Sequence, residues 1–125
     1  MNDLPIVSAF DRLFLYKWNT IYLNRKTRYI SISDIILLKA ESNYTSILMS
    51  DGKKIMLAKT LKEFEAILSN HPFVRIHRSY LINLNNLQSF ELKDEMFVTM
   101  KTGKKIDISR RRKMIFREKF LAHSA

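Results

Sequence analysis

The most restrictive feature of the sequence is its division into short apolar runs separated by equally short polar breaks. Residues 35–38, 44–49 and 54–57 are rich in branched, aromatic or other apolar side chains, and such short runs favour strands over helices. The second break contains Asp51-Gly52, a pair that suits the two positive φ angles of a type I′ hairpin turn. The pattern therefore predicts a mainly β fold built from short strands and tight turns.

Two helices are also predicted. Thr60 and Glu63 have the spacing of a capping box, in which the side chain of each residue accepts a hydrogen bond from the backbone amide of the other. The apolar residues that follow fall on one helical face, and Pro72 prevents the helix from continuing. We therefore expect a helix over about 60–69. An amphipathic segment after Ser109 predicts a short second helix at the C-terminal end.

The rest of the chain has the same strand-like pattern and the composition of one folded domain. Hydrophobic residues make up 46% of the chain, and only two glycines and two prolines occur, so a packed core is expected rather than a flexible linker. Residues 1–11 show little pattern and are interpreted as a tail or the remnant of a linker, whereas 12–125 are interpreted as the domain. Further strands are expected at 13–18, 21–23, 29–32, 73–76, 80–84, 87–92, 96–100 and 105–108.

The chain is strongly basic. Twenty-two Lys and Arg residues oppose twelve Asp and Glu residues, which gives a net charge of +10. Such a field favours polyanionic partners, namely nucleic acid, an anionic membrane surface or acidic proteins. Nine of the cations lie between Lys101 and Lys119, where only Asp107 and Glu118 oppose them. This uneven distribution favours a docking face, although a basic soluble domain without such a face stays open as an alternative.

The composition excludes several classes of protein. The chain has no cysteine, so disulfide bonds and cysteine-ligated metals are excluded. No apolar run approaches the roughly 20 residues of a membrane span, and no secretory signal is evident, so we expect a cytoplasmic protein. No nucleophile elbow, glycine-rich phosphate loop or paired-carboxylate motif is evident, so we expect no enzyme, no metal and no cofactor. An enzyme that uses His71 or His77 as a base is the weakest alternative.

The segment His77-Arg78-Ser79 is the first candidate site. It lies between two apolar, strand-like runs, so its polar side chains should be presented at a turn on a rigid support. An arginine fork fits the O6 and N7 acceptors of guanine in the major groove, and serine or histidine can contact bases or phosphates. For His77, a packed histidine with satisfied hydrogen bonds is an equally good interpretation. Arg75 could be an ordinary surface cation.

The basic segment after Ser109 is the second candidate. If Ser109 caps the C-terminal helix, Arg110, Arg111 and Arg112 occupy its first turn. Each cation there is unfavourable by about 0.3–1 kcal/mol, because that end of the helix dipole is positive. Guanidinium groups beside exposed amides would bind phosphate strongly. The alternative is a solvated basic face.

The break between the strands at 35–38 and 44–49 is the third candidate. It is either a plain turn, in which Asn43 adopts a positive φ, or a projecting loop on which Asn43 and Tyr44 make polar contacts with a ligand. The residue pattern alone favours neither interpretation.

Taken together, these segments resemble a LytTR DNA-binding domain. The resemblance covers roughly residues 20–120, and it is specific because three separated motifs occur in the order found in that family. The matching residues are Ile35 to Tyr44, Asp51-Gly52, Thr60-Leu61 with Phe64-Glu65 and Leu68, Phe73 to Asn83, and Ile106 to Arg111.

The resemblance implies a fold and a function. The implied fold is an elongated, mainly β arrangement of small, mostly antiparallel sheets that reads double-stranded DNA through loops in the major groove instead of a recognition helix. The implied function is that of a bacterial transcription regulator, as the output domain of a two-component response regulator with a receiver domain N-terminal to it. Members of that family tend to bind paired direct-repeat sites, which implies a homodimer on DNA.

Carried over to this chain, the resemblance assigns DNA contacts to the three candidate segments and one flanking lysine. Base contacts are expected from Tyr44, His77, Arg78 and Arg110. Phosphate or supporting contacts are expected from Asn43, Lys59, Ser79, Arg111 and Arg112. The main alternative is a basic interaction module for acidic proteins or an anionic membrane surface. RNA binding is less well supported, because the aromatic residues lie in apolar strand patterns rather than on an exposed stacking surface.

Overall fold

The structure is a computed structural model that describes residues 20–22 and 29–124. The predicted tail at 1–11 and the predicted strand at 13–18 lie outside the described residues. The described strands are β1 (Thr20–Tyr22), β2 (Tyr29–Ser31), β3 (Ile35–Glu41), β4 (Tyr44–Met49), β5 (Lys54–Leu57), β6 (Phe73–His77), β7 (Tyr80–Asn83), β8 (Leu87–Glu91), β9 (Phe97–Met100) and β10 (Lys105–Asp107). The α-helices are α1 (Leu61–Ile67) and α2 (Lys113–Ser124), and short 3-10 turns span Ile32–Asp34, Leu84–Asn86 and Arg110–Arg112.

The strands form three small antiparallel sheets. The central sheet has the order β5-β4-β3-β7-β6, a second sheet has the order β10-β9-β8, and β1 pairs with β2. In the central sheet β3 is the middle strand, with β4 on one side and β7 on the other. The predicted mainly β fold of small antiparallel sheets, with one capped helix and a short C-terminal helix, is confirmed.

Both faces of the central sheet are buried. Ile35 and Leu38 pack with residues of α1, β1 and β2 on one face, whereas Leu37 and Ile82 pack with the three-stranded sheet and α2 on the other. A strand that is covered on both faces is apolar at every position instead of at alternate positions. The predicted buried strand at 35–38 is therefore confirmed, with each of its residues at most 4% exposed.

The helix α1 begins as its capping sequence predicts. The Glu63 amide donates to Thr60 Oγ1 at 3.1 Å, and the Thr60 amide donates to Glu63 Oε1 at 2.8 Å. Three residues are buried on one face of the helix: Leu61, Phe64 and Ile67. Burial of each such side chain stabilises the folded state by about 1.5–3 kcal/mol. The predicted helix is confirmed, and its α-helical part ends at Ile67.

The segment before α2 differs from its prediction. The Ser109 hydroxyl makes no capping hydrogen bond, and Arg110–Arg112 form a 3-10 turn ahead of α2 instead of its first turn. The 3-10 turn is closed by the backbone, because the Arg112 amide donates to the Ser109 carbonyl at 3.0 Å. A tertiary contact holds the chain against the sheet at the same point, since the Ser109 amide donates to the carbonyl of Ile76 in β6 at 2.8 Å. Phe116 then anchors α2, because it is fully buried and its ring lies edge-on to Phe90 at 5.2 Å.

The turn between β3 and β4 places its positive φ at a different residue from the one expected. Glu41 pairs with Tyr44 across a two-residue turn, in which Ser42 has a φ of 57° and Asn43 has no positive φ. Positive φ at the first of two central residues is the φ pattern of a type II′ turn, which matches the twist of an antiparallel pair. The expectation for Asn43 is therefore wrong, because the register makes Ser42 the first central residue.

The turn between β4 and β5 is also not the expected type I′ turn. The Met49 amide donates to the Lys53 carbonyl at 2.9 Å, so the loop has one residue more than a type I′ turn. Within the Asp51-Gly52 pair only Gly52 has a positive φ, of 90°. A three-residue loop with glycine in the left-handed conformation is the next most common hairpin connection. The predicted hairpin is confirmed, but its turn type is not.

One buried amide side chain joins the ends of two central strands. Asn83, at the end of β7, is 1% exposed. Its Nδ2 donates to the carbonyl of Ile35 in β3 at 2.8 Å, and its Oδ1 accepts from the Asn85 amide at 3.0 Å. Buried polar groups need such partners, so Asn83 ties the start of β3 to the end of β7.

Replacing Asn83 by alanine should lower the free energy of unfolding by about 2–4 kcal/mol, because the Ile35 carbonyl and the Asn85 amide both lose a partner. Urea unfolding followed by circular dichroism measures this loss. Asn70→Ala, at an exposed position after α1, is the matched control and should change the value by less than about 0.5 kcal/mol. Equal effects of the two substitutions would contradict a structural role for the Asn83 side chain.

His71 links stability to pH. It lies between α1 and β6, and burial lowers the pKa of its imidazole below the ordinary value of 6.5. As the pH falls, the His71 imidazole therefore takes up a proton at a higher pH in the unfolded chain than in the folded chain. The contribution to stability is complete above pH 6.5 and decreases as the pH falls towards the lower folded-state pKa.

We therefore expect His71→Gln to show a smaller loss of stability than the wild-type protein between about pH 7 and about pH 5.5. Urea unfolding at a series of pH values gives the comparison. The neighbouring residue Asn70 does not titrate, so Asn70→Ala is the control and should keep the wild-type pH dependence of stability. A His71→Gln protein with the wild-type dependence would show that another group is responsible.

Candidate nucleic-acid interface

Two hairpin turns and the end of β5 meet at one end of the central sheet. Because β3 pairs with β7, the turn after β3 lies beside the turn before β7, and the Ala40 amide donates to the Ser79 carbonyl at 2.9 Å. On the other side of β4, Thr45 Oγ1 donates to the Lys59 carbonyl at 2.7 Å. We call this part of the molecule the loop end. It comprises residues 41–44, 58–59 and 77–80.

The basic turn Arg110–Arg112 is attached to the loop end through β6. The pairing of β6 with β7 shifts register between Arg75 and His77, which leaves Ile76 without a partner in β7. Such bulges occur next to functional sites, where they redirect side chains. Here the carbonyl of Ile76 accepts from the Ser109 amide at 2.8 Å. The bulge therefore places the basic turn next to the last residues of β6.

The Arg75 guanidinium holds the turn between β6 and β7. Its Nε donates to the His77 carbonyl at 3.0 Å, its Nη2 donates to the Arg78 carbonyl, and its Nη1 donates to Glu65 Oε1 of α1 at 3.1 Å. The side chain is 13% exposed, so Arg75 is not the ordinary surface cation considered above. No sequence pattern marks this role, since the three acceptors come together only in the fold.

The ring of His77 is oriented by the same turn. Its Nδ1 accepts from the Ser79 amide at 3.1 Å. A backbone amide only donates, so Nδ1 carries no proton here and the neutral ring carries its proton on Nε2. The ring is half-buried and lies edge-on to Tyr80 at 6.0 Å. His77 is thus packed on one side and presents an Nε2–H donor.

The arginines differ in exposure. Arg78, Arg110 and Arg111 are exposed, whereas Arg112 is half-buried. Burial lowers the pKa of Arg112, and the positive charge of Arg75 lowers it further, while Glu65 acts in the opposite direction. An arginine in a protein stays protonated despite such shifts. Both residues of the Arg75–Glu65 contact thus act electrostatically on Arg112.

The remaining predicted residues lie on the β4 side of the loop end. Tyr44, at the start of β4, is 50% exposed, and Asn43 is exposed in the turn before it. Lys59 is half-buried, and its backbone carbonyl is held by Thr45. The structure therefore brings all three predicted segments, together with Lys59, to one end of the central sheet.

Two lysines that the sequence analysis did not assign to a site also lie at this end. The Nζ atoms of Lys39 and Lys104 are each 5.9 Å from the centre of the Tyr80 ring. Lys39 is directly opposite Tyr80 in the pairing of β3 with β7, whereas Lys104 comes from the turn between β9 and β10. The three-stranded sheet therefore adds a cation to the loop end. Strand pairing brings Lys39 to Tyr80, and the packing of the two sheets brings Lys104 there; the sequence specifies neither.

The chemistry of the loop end is that of binding. Exposed guanidinium forks pair with phosphates and with guanine, and the surrounding lysines add positive potential. His71 precedes β6 and His77 ends it, so the length of the strand, about 13 Å at roughly 3.3 Å rise per residue, lies between them and they do not form a shared site. Among the described residues no group of histidines and carboxylates could hold a metal ion.

In the part of the chain that the structure describes, no helix is long and apolar enough to cross a membrane.

Comparisons with known proteins identify the family of the chain. A family model described as the LytTr DNA-binding domain matches residues 25–121. The chain is also similar to the solved LytTr DNA-binding domain of a Bacillus cereus protein described as a methyl-accepting/DNA response regulator. That match has a TM-score of 0.67 and 22% identity, and covers 81% of this chain and 95% of that chain; at this identity it shows the shared fold. A search of curated proteins finds no match. Because the family model matches most of its length, the chain belongs to the LytTR family of DNA-binding domains.

Proposed function

We propose that this chain binds double-stranded DNA in a sequence-specific manner, as a bacterial transcription regulator, and that the loop end enters the major groove. The observation that carries the proposal is the meeting of two hairpin turns and the basic turn at one end of one sheet. Arg78 and Arg110 are exposed there. Membership of a family of DNA-binding domains supports DNA as the polyanion.

The exposed side chains suggest a division of roles. Arg78 is in the two-residue turn between β6 and β7, and Arg110 opens the 3-10 turn. Both can offer a bidentate fork to guanine in a groove about 12 Å wide. Tyr44, through its hydroxyl group, and His77, through Nε2–H, would add single hydrogen bonds to base edges.

The other predicted residues would hold the sugar–phosphate backbone. Phosphate contacts fix the position and register of a protein on the duplex but carry little sequence information. The residues proposed for this role are Asn43, Lys59, Ser79, Arg111 and Arg112.

The wider role of the domain follows from the family. We propose that it is the output domain of a two-component response regulator with an N-terminal receiver domain, and that it binds paired direct repeats as a homodimer. The description of the Bacillus cereus protein as a response regulator supports the first part. Selection of sites from random duplex DNA would give both the sequence motif and the spacing of half-sites. Selection of a single, unpaired motif would contradict the dimer.

Removing either exposed fork should reduce specific binding more than general binding. Arg78→Ala and Arg110→Ala should each lose about 1–3 kcal/mol on the selected site and less on random DNA. Fluorescence anisotropy with both duplexes gives the two affinities. Arg117→Ala, which removes an exposed arginine of α2 outside the three segments, is the matched control. Equal losses on both duplexes would make Arg78 and Arg110 phosphate contacts.

Salt should weaken binding in proportion to the number of phosphates neutralised. The logarithm of the binding constant should fall linearly with the logarithm of salt concentration, with a slope of about −0.9 for each phosphate. Arg111→Ala should reduce the magnitude of the slope by about 0.9. Lys93→Ala, in the exposed connection between β8 and β9, should leave the slope unchanged.

A competition experiment separates DNA recognition from general affinity for polyanions. On this proposal the selected duplex displaces labelled DNA, whereas heparin of matched charge does not. The opposite result, together with a flat salt response for the selected duplex, would favour a basic module for acidic proteins or anionic membranes.

A further inference from the structure

The Glu65–Arg75 pair lies beside the loop end without forming part of its exposed arginine surface. Arg75 is 13% exposed and Glu65 is 45% exposed, and their contact joins α1 to β6. Each of the three guanidinium nitrogens of Arg75 has a protein acceptor. Arg75 is thus occupied within the protein and is poorly placed to contact DNA itself.

The two carbonyls that Arg75 holds belong to the peptide groups on either side of the Arg78 α-carbon. The His77 carbonyl lies in the peptide that precedes Arg78, and the Arg78 carbonyl lies in the peptide that follows it. Because peptide groups are planar, fixing both of them fixes φ and ψ of the residue between them. One guanidinium therefore sets the direction in which the Arg78 side chain leaves the turn.

The turn needs such support. Neither of its two central residues has a positive φ, since Ser42 is the only non-glycine residue with one among the described residues. Two-residue hairpin turns favour the primed types, which have positive φ angles, and unprimed turns splay the strands. In this protein β6 carries a bulge directly before the turn, and Arg75 bridges it.

We propose that Arg75, held by Glu65, is a positioning residue that determines the sequence specificity of DNA binding through the backbone of Arg78. The inference rests on the proposed function, because it needs Arg78 to contact a base. A contact that is already oriented before binding loses less conformational entropy on binding. Lysine cannot replace Arg75, because a single ammonium group cannot reproduce a planar fork that holds three acceptors.

Glu65 also limits the general affinity of the loop end for DNA. It lies close to Arg112 as well as to Arg75, and it raises the pKa of Arg112 against the effect of burial. Removing its charge therefore adds one net positive charge beside the DNA-binding surface. Random DNA should then bind more tightly, while discrimination should fall. Loss of any nearby negative charge produces the first effect, so the fall in discrimination is the result that indicates positioning of Arg75.

The first test uses the protein without DNA. Hydrogen exchange, observed by NMR, reports on the Ser79 amide, which donates to His77 Nδ1. In Arg75→Lys this amide should exchange at least about tenfold faster, because local opening of the turn becomes easier. Glu65→Gln should show a smaller increase, and the exposed control Glu118→Gln should show none. An unchanged rate in Arg75→Lys would overturn the inference.

The second test measures the ratio of affinities for the selected duplex and for random DNA. Arg75→Lys should lower the ratio by about five- to tenfold, because it removes part of the discrimination that a bidentate arginine contact provides. The affinity for random DNA should stay within about twofold of the wild-type value. Glu65→Gln and Glu118→Gln change the net charge equally, so both should strengthen random binding. Only Glu65→Gln should lower the ratio.

A double substitution shows whether Arg75 acts through Arg78. In an Arg78→Ala background, Arg75→Lys should cause no further loss of discrimination, because the residue that it positions is gone. Additive losses of discrimination in the double variant would overturn the inference. An affinity ratio in Glu65→Gln equal to that of the wild-type protein would also overturn it. Glu65→Gln changes a more exposed side chain than Arg75→Lys does, so this second test does not depend on Arg75→Lys folding. If the wild-type protein shows no preference for any duplex, the proposed function itself fails. If the wild-type protein prefers the selected duplex and the variants have the same affinity ratio, only the positioning role is refuted.

Discussion

The antiparallel pairing of β3 with β7 is the constraint on which the rest of the structure depends. It joins residues far apart in the chain, since Leu37 is opposite Ile82 and Lys39 is opposite Tyr80. The pairing makes β3 the middle of the central sheet and brings the turn after β3 against the turn before β7, where the Ala40 amide donates to the Ser79 carbonyl. Without it, the two hairpins would be separate units with no common end. The basic turn depends on it indirectly, because its anchor, Ile76, lies in the strand paired with β7.

Features that depend on neighbouring residues were predictable from the sequence, whereas those that depend on tertiary contacts were not. The capping box at Thr60 and Glu63 is local and was predicted correctly. The positive φ was assigned to Asn43 on intrinsic preference, but the two-residue turn has it at Ser42. The side-chain cap expected from Ser109 does not form, and the contact that does hold this residue, from its amide to the Ile76 carbonyl, is tertiary. Asp51-Gly52 marked its hairpin correctly, but hairpin signals do not specify loop length.

The candidate site shows the same division. The three segments that resemble the LytTR motifs lie together at one end of the central sheet, an arrangement that comes from strand pairing and from the Ser109–Ile76 contact. Arg75 was not predicted, because its acceptors come from α1 and from the turn after β6. Lys39 was not predicted, and Lys104 was predicted only as one of the cations of a docking face, because strand pairing and sheet packing bring the two lysines to Tyr80. The sequence therefore indicates the exposed ends of the site better than the buried residues that hold them.

The attachment of the basic turn has a consequence for how folding assembles the candidate surface. Arg110 follows all the described strands in the chain, and a backbone bond from Ser109 to Ile76 joins its turn to the central sheet. Phe116, which packs against Phe90, fixes α2 directly after that turn. The two hairpin turns form from residues that are close in sequence, whereas the basic turn reaches them only through contacts between distant parts of the chain. Contacts of that kind are slow to form because they close long loops, so the third segment depends on tertiary folding in a way that the two hairpin turns do not.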